Sequence, residues 1–159
     1  MRLEGSCHCG AVRFSCDSPH PAPYQRCYCS ICRKTAGGGG YAINIMGLTD
    51  TLEIEGEDNI TVFHARTEHG ISSGERRFCS TCDSALWVYD DAWPDLIHPF
   101  ASAIDSDLPK PPNSTHLMLD FKPNWVEPQI GPDDKTFDRY PEESIAEWHD
   151  RNGMTDDTD

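Results

Sequence analysis

The chain has 159 residues, of which 37% are hydrophobic, and 27 acidic residues against 13 Lys and Arg give it a net charge of −14. This acidity argues against binding to nucleic acid or to an anionic membrane, because both partners require a basic surface. The length predicts one domain over residues 1–153, followed by a disordered acidic tail at 154–159.

Turn-forming residues are frequent along the chain. It contains 12 prolines and 12 glycines, which predict short elements joined by turns and therefore a mainly β fold. The first strand is predicted over 11–16, where Val12, Phe14 and Cys16 alternate with polar residues. Further short strands are predicted at 41–48, 85–89, 100–104 and 115–121.

A hairpin is predicted over residues 51–65. Leu52 and Ile54 would pair with Ile60 and Val62 across a turn at 56–59. This pairing would place four apolar side chains on one face of the hairpin.

A short C-terminal helix is predicted to begin near Pro141 and to stop at Gly153, with Ile145 and Trp148 on one face. Proline suits the first turn of a helix, and glycine is a common C-terminal stop. We therefore expect one amphipathic helix after the strands.

The role of the eight cysteines depends on whether the protein resides in a reducing or an oxidising compartment. The N-terminus does not resemble a secretory signal, and no window approaches the roughly 18 apolar residues of a membrane span. We therefore expect a soluble, cytoplasmic protein. In that reducing environment, cysteines serve as metal ligands or catalytic thiols more often than as disulfides.

Two of the cysteine motifs, a CxC and a distant CxxC, predict a structural metal site. Cysteines one or two residues apart cannot easily form a disulfide with each other, but they readily direct two thiolates at one ion. Together the two motifs supply four thiolates, the ligand set of a closed structural zinc site. We assign this zinc to Cys7, Cys9, Cys79 and Cys82.

The middle motif supplies only Cys27, Cys29 and Cys32. Three protein ligands leave a fourth position open, as in a reactive zinc site, so we expect two zinc ions per chain, the second of them more labile. Two alternatives stay open: a closed second site completed by Cys16 or a histidine, and unligated core thiols. The histidines without ligand spacing are interpreted as ordinary surface or core residues: His64, His69, His98 and His116.

The ligand type predicts the chemistry of this second site. A zinc ion with three thiolates has a net negative formal charge, so it acidifies water less than a histidine-rich site does. A soft, sulfur-rich zinc is better suited to bind an incoming thiol and to lower its pKa.

A stretch without acidic residues surrounds this motif. Residues 18–48 contain no Asp or Glu, yet they include Arg26, Arg33 and Lys34. These cations indicate a site for a small anionic substrate, although they could also merely offset the thiolate charge. The glycines at 37–40 would let backbone N–H groups approach a ligand, and a merely flexible loop is the alternative.

Four segments resemble one known family. "GSCHCGAVRF" at 5–14, "CYCSICRK" at 27–34, "RFCSTCDSAL" at 77–86 and "HLMLDFKPNW" at 116–125 are similar to the glutathione-dependent formaldehyde-activating enzyme family, also called the GFA or centromere-protein-V domain. The resemblance implies an Mss4-like zinc-binding β-sheet fold, with a structural zinc at the four-cysteine motifs and a catalytic zinc at the three-cysteine motif. One departure is Asp83, where the family usually has Gly; Asp tolerates a positive φ, so we expect the turn to survive.

The resemblance and the ligand chemistry together predict a zinc-dependent carbon–sulfur lyase. It would join the thiol of glutathione to formaldehyde or a related small aldehyde, giving S-hydroxymethylglutathione in the family reaction. Arg33 and Lys34 are the candidates for binding the carboxylates of glutathione. Gly38 and Gly39 are the candidates for shaping the substrate pocket. The alternatives are a non-catalytic Mss4-like zinc module that binds proteins, and a zinc enzyme with another thiol or aldehyde; the oligomeric state is left open.

Overall fold

The computed structural model of the chain describes residues 1–154, which form two compact units. One unit contains residues 1–18 and 46–108, and the other contains residues 19–45 and 109–154. The single domain predicted over 1–153 stays a prediction. Residues 155–159 of the predicted tail lie outside the described residues.

The strands of the first unit are β1 Arg2–Ser6, β2 Arg13–Asp17, β5 Gly47–Leu48, β6 Glu53–Glu55, β7 Ile60–Thr67, β8 Gly70–Cys79, β9 Ala85–Tyr89 and β10 Leu96–Pro99. They form two antiparallel sheets, one with strand order β1-β2-β6 and one with order β5-β10-β9-β8-β7. Leu3, Phe14 and Trp87 are at most 4% exposed, and the rings of Phe14 and Trp87 pack with their centroids 4.9 Å apart.

The elements of the second unit are β3 Tyr24–Cys27, α1 Ser30–Ala36, β4 Ala42–Asn44, β11 Ser114–Leu117, β12 Lys135–Thr136 and α2 Ile145–Arg151. Its strands form one four-stranded sheet with order β12-β11-β3-β4. Strand β11 runs parallel to both β3 and β12, whereas β4 is antiparallel to β3. The four 3-10 turns of the described chain are Thr49–Thr51, Glu57–Asn59, Ala101–Ala103 and Leu119–Phe121.

Helix α2 confirms the predicted C-terminal helix, although it begins at Ile145 rather than near Pro141. Ser144 forms a capping box with Glu147, and this satisfies backbone donors that would otherwise lack partners. Trp148 is 1% exposed and donates its indole N–H to the side-chain oxygen of Asn113 at 2.9 Å. The mainly β architecture with a short C-terminal helix is thus confirmed. None of the helices among residues 1–154 is long and apolar enough to cross a bilayer.

Two predicted β elements are wrong, because one strand is divided and one hairpin does not form. The strand predicted at 41–48 is divided between β4 and β5, which belong to different sheets. The hairpin predicted over 51–65 does not form, because β6 pairs with β2 and β7 pairs with β8. The turn at its centre is a 3-10 turn that follows Gly56 in the left-handed region, and it leads the chain from one sheet to the other.

The remaining strand predictions have mixed outcomes. The strands predicted at 85–89 and 11–16 are confirmed as β9 and β2, and the segment 115–121 is half strand and half 3-10 turn. The strand predicted at 100–104 is wrong, because this segment contains a 3-10 turn and follows strand β10, which was not predicted. Helix α1 was not predicted.

Candidate functional site

The first cysteine cluster lies in the unit formed by residues 1–18 and 46–108. The sulfur atoms of Cys7, Cys9, Cys79 and Cys82 all lie within 4.8 Å of one another. The distance between the sulfurs of Cys7 and Cys9 is 3.6 Å, and that between Cys9 and Cys79 is 3.8 Å. A tetrahedral zinc with Zn–S bonds of about 2.3 Å requires sulfurs about 3.8 Å apart. The cluster therefore has the dimensions of a four-thiolate zinc site.

Two tight turns position these sulfurs. After β1, the carbonyl of Cys7 accepts a hydrogen bond from the N–H of Gly10 at 3.1 Å, and Gly10 has a φ of 78°. After β8, the carbonyl of Cys79 accepts from the N–H of Asp83 at 2.9 Å, and Asp83 has a φ of 58°. The expectation that Asp83 accommodates a positive φ and preserves this turn is confirmed.

Hydrogen-bond donors surround the sulfurs of this cluster. The N–H of Val12 lies 3.2 Å from the sulfur of Cys7, and the N–H of Thr81 lies 3.4 Å from that of Cys79. The hydroxyl and the backbone N–H of Ser84 lower the pKa of Cys82 to about 5. Donors of this kind favour the thiolate, which is the form that binds a metal ion.

The second cluster joins the end of β3 to the start of α1. The sulfurs of Cys27, Cys29 and Cys32 lie within 4.8 Å of one another, which again fits a common metal ion. Cys29 is the N-cap of α1, and its sulfur accepts a hydrogen bond from the N–H of Cys32 at 3.3 Å. A short helix thus places the second and third sulfurs, and the last residue of β3 places the first.

The three thiols of this cluster are electrostatically linked. Hydrogen bonds from Cys27 and then Cys32 lower the pKa of Cys29 well below its ordinary value, whereas the hydrogen bonds of Cys27 with Cys29 and then Cys32 raise the pKa of Cys27. One thiolate is therefore stabilised at the expense of a neighbour. A cation at the centre would remove this conflict, because it stabilises all three thiolates together.

Cys16 belongs to neither cluster. It is 0% exposed in β2, and burial raises its pKa to about 11, as expected for a core thiol. Within residues 1–154, the second cluster contains no fourth side chain of the ligand-forming types. Of the histidines without ligand spacing, two are exposed, one is half-buried and one is buried, in the order His64, His69, His98 and His116.

The predicted substrate-binding residues follow the second cluster along the chain. Arg33 and Lys34 lie in the last turn of α1, where Lys34 is exposed and Arg33 is half-buried. Gly38 and Gly39 lie in the exposed turn that follows, with no atom near the position of an added Cβ. Among the described residues, the Nε of Arg33 is buried without a hydrogen-bond partner. The roles of these four residues stay predictions.

Sequence reasoning missed a buried polar chain beside the second cluster. Tyr28 is 0% exposed, and its hydroxyl lies 2.9 Å from Nδ1 of His116. The Nε2 of His116 lies 3.0 Å from a carboxylate oxygen of Asp134. These residues are far apart in sequence, and only the position of Tyr28 between two cysteines could have drawn attention to it.

Comparisons with known proteins identify the family of the chain. The sequence profile described as glutathione-dependent formaldehyde-activating enzyme (GFA) matches residues 2–118. A Halomonas elongata protein, whose name provisionally describes it as a glutathione-dependent formaldehyde-activating enzyme, is 62% identical over 154 residues, covering 97% of this chain and 98% of that protein. A crystal structure of a Rhodobacter sphaeroides protein superposes with a TM-score of 0.54 at 26% identity, covering 69% of this chain and 92% of the other. The chain therefore belongs to the glutathione-dependent formaldehyde-activating enzyme family.

Proposed function

We propose that this chain is a zinc-dependent carbon–sulfur lyase that reversibly adds the thiol of glutathione to formaldehyde or a related small aldehyde. The main support is the cluster of Cys27, Cys29 and Cys32, whose sulfurs lie within 4.8 Å of one another with no fourth ligand-type side chain among residues 1–154. The name of the Halomonas elongata relative gives the same pair of substrates.

The reaction needs little beyond a deprotonated thiol and a nearby carbonyl. The sulfur–carbon bond forms as the carbonyl π bond breaks, and the proton lost by the thiol ends on the new hydroxyl. A zinc ion at the three sulfurs would supply a place for the substrate thiol and would lower its pKa. Besides favouring the deprotonated thiol, the protein would hold the two reactants together, and neither direction requires a further acid or base.

Arginine residues on both sides of the cysteine motif would recognise the carboxylates of glutathione. Arg26 precedes Cys27, and Arg33 follows Cys32. The Nε atoms of both arginines are buried without hydrogen-bond partners in the described chain, and buried donors normally have a partner. A carboxylate would bind the terminal N–H groups of these side chains, in a region that has no acidic residue from 18 to 48.

Several other parts of the predicted site fit this function as proposals. Lys34 is a second candidate for binding a carboxylate, and the N–H groups of the exposed Gly38 and Gly39 offer further donors. All eight cysteines are free thiols, which agrees with the predicted cytoplasmic location.

The two clusters are proposed to bind zinc with different strength. Four ligands hold a structural ion more firmly than three, so a chelator should remove the two ions in separate phases. We expect one zinc per chain to be lost rapidly and the other only as the protein unfolds. Release is followed by the colour change of a zinc-binding dye. A single phase that releases both ions would contradict the assignment of different roles.

The proposed activity is tested by NMR exchange spectroscopy on glutathione and formaldehyde at equilibrium. The native protein should strengthen the exchange cross-peaks between free glutathione and its hydroxymethyl adduct, because it accelerates both directions without changing their ratio. A sample without protein gives the spontaneous rate. An unchanged exchange rate with the zinc-loaded protein would contradict the proposed enzymatic activity and favour the protein-binding module instead.

A further inference from the structure

Tyr28 is attached at both ends to the neighbouring strand β11. Its backbone N–H donates to the carbonyl of Leu117 at 3.1 Å, and its hydroxyl lies 2.9 Å from Nδ1 of His116. The ring is fully buried and packs against Tyr41, with the two ring centroids 5.2 Å apart. Tyr28 therefore has one fixed position, and the two residues bonded to it are Cys27 and Cys29.

The direction of the hydrogen bonds follows from Asp134. Burial opposes the ionisation of this carboxyl group, but the N–H groups of Ser114 at 2.6 Å and Gly131 at 2.9 Å outweigh burial and lower its pKa. An ionised carboxylate only accepts, so Nε2 of His116 donates to Asp134. Nδ1 of the same ring lies 2.9 Å from the hydroxyl of Tyr28, so the hydrogen-bonded chain continues from Asp134 through His116 to Tyr28.

The three residues come from three adjacent strands of one sheet. Asp134 directly precedes β12, His116 lies in β11, and Tyr28 directly follows β3. The hydrogen-bonded chain thus runs across the sheet towards the sulfurs. His116 is 0% exposed, and the side chain of Asp134 is 12% exposed, so little water competes with these bonds.

We propose that Asp134, His116 and Tyr28 form a positioning chain that fixes the backbone between Cys27 and Cys29 and thereby the spacing of the three sulfurs. The inference rests on the proposed metal site at these sulfurs. Any shift of Tyr28 would move two of them directly. It would also move the start of α1, because Cys29 is its N-cap, and with it Cys32.

A role in stability alone does not account for this arrangement. A phenylalanine at position 28 would fill the same space without placing a hydroxyl and an imidazole in the core, and burying polar groups has a cost that their mutual hydrogen bonds only offset. Such a network is worth more for fixing one geometry, which a metal site requires to within about 0.5 Å. Tyr28, His116 and Asp134 are positioning residues and not catalytic ones.

The test is cadmium-113 NMR of the cadmium-loaded chain, which separates a four-sulfur site from a three-sulfur site by chemical shift. The Tyr28→Phe variant removes only the hydroxyl group. We expect its three-sulfur resonance to shift and broaden, and its metal affinity at that site, measured by chelator competition, to fall about 10- to 100-fold. The four-sulfur resonance should not change. Asp134→Asn should disturb the same resonance from the far end of the chain, because its amide NH2 would face the backbone N–H of Ser114 or of Gly131 and so loosen the group that holds His116.

Tyr24→Phe is the matched control. Tyr24 is also a buried tyrosine of the β3 segment, and its hydroxyl donates to the carbonyl of Pro109 at 2.6 Å. This variant should leave both resonances unchanged. An unaltered three-sulfur site in Tyr28→Phe, or an equal loss in Tyr24→Phe, would overturn the positioning chain and leave the proposed function standing. If native protein shows only the four-sulfur resonance, both proposals fall together.

Discussion

Replacing Cys27, Cys29 and Cys32 together with alanine is expected to reduce the exchange of glutathione with formaldehyde to the rate without protein. The three sulfurs form the only other metal-sized ligand group among residues 1–154 besides the four-cysteine cluster. Without them no ion remains to activate the substrate thiol, and deprotonation of the thiol is the main barrier that the protein is proposed to lower. Exchange NMR measures the rate, and elemental analysis should show zinc falling from two ions to one per chain.

This variant should remain folded. It loses the N-cap side chain of α1, which costs about 1 kcal/mol of stability. A second triple variant with serine instead of alanine at Cys29 would keep a capping side chain. Cys16→Ala is the control for loss of a buried thiol, because Cys16 is 0% exposed and belongs to neither cluster. Cys16→Ala should retain both ions and the full exchange rate. Exchange at the native rate in the triple variant would refute the assignment of catalysis to this cluster.

Cys79→Ala is expected to unfold the unit formed by residues 1–18 and 46–108. Its sulfur lies 3.8 Å from that of Cys9, a residue 70 positions earlier, so a zinc ion there would close a very long loop. Structural zinc sites contribute about 10–16 kcal/mol in small domains, whereas whole domains are stable by only about 5–15 kcal/mol. The loss of the ion that follows removal of one of its four ligands would therefore exceed the stability available.

Circular dichroism during heating measures this effect. The Cys79→Ala protein should lack a cooperative transition for the β-rich unit and should not hold the structural zinc. Ser84→Ala is the matched variant, since it removes a hydrogen-bond donor to the sulfur of Cys82 but no ligand. It should lower the unfolding temperature by only a few degrees. A Cys79→Ala protein that melts cooperatively at the native temperature would show that this cluster does not hold the fold together.

The parts of the fold that were predictable are those set by local chemistry. Strand β9 has a dense run of apolar and aromatic residues next to a cysteine turn, and α2 has an apolar face and a glycine stop. The two sulfur clusters were indicated by ligand spacing, because few other constraints place cysteines one or two residues apart. The turn at Asp83 was predictable for the same reason, since it depends on one residue's backbone preference.

The parts that were not predictable depend on which strand is chosen as a partner. An alternating pattern specifies which face of a strand is buried, but not the strand beside it. Ile54 therefore fitted a hairpin with β7, whereas it lies opposite Phe14 of β2. The contact of Tyr28 with His116 spans 88 positions, and no local signal in the sequence connects them.

The two clusters differ in how much of the chain each one needs. One cluster needs only the end of β3 and the start of α1, which carry Cys27, Cys29 and Cys32. The other cluster joins Cys9 to Cys79, which are 70 positions apart in the sequence. During synthesis, the ligands of the three-cysteine cluster are all present once Cys32 has left the ribosome, long before Cys82 completes the four-cysteine cluster. A complete set of ligands is thus available first at the site with fewer sulfurs.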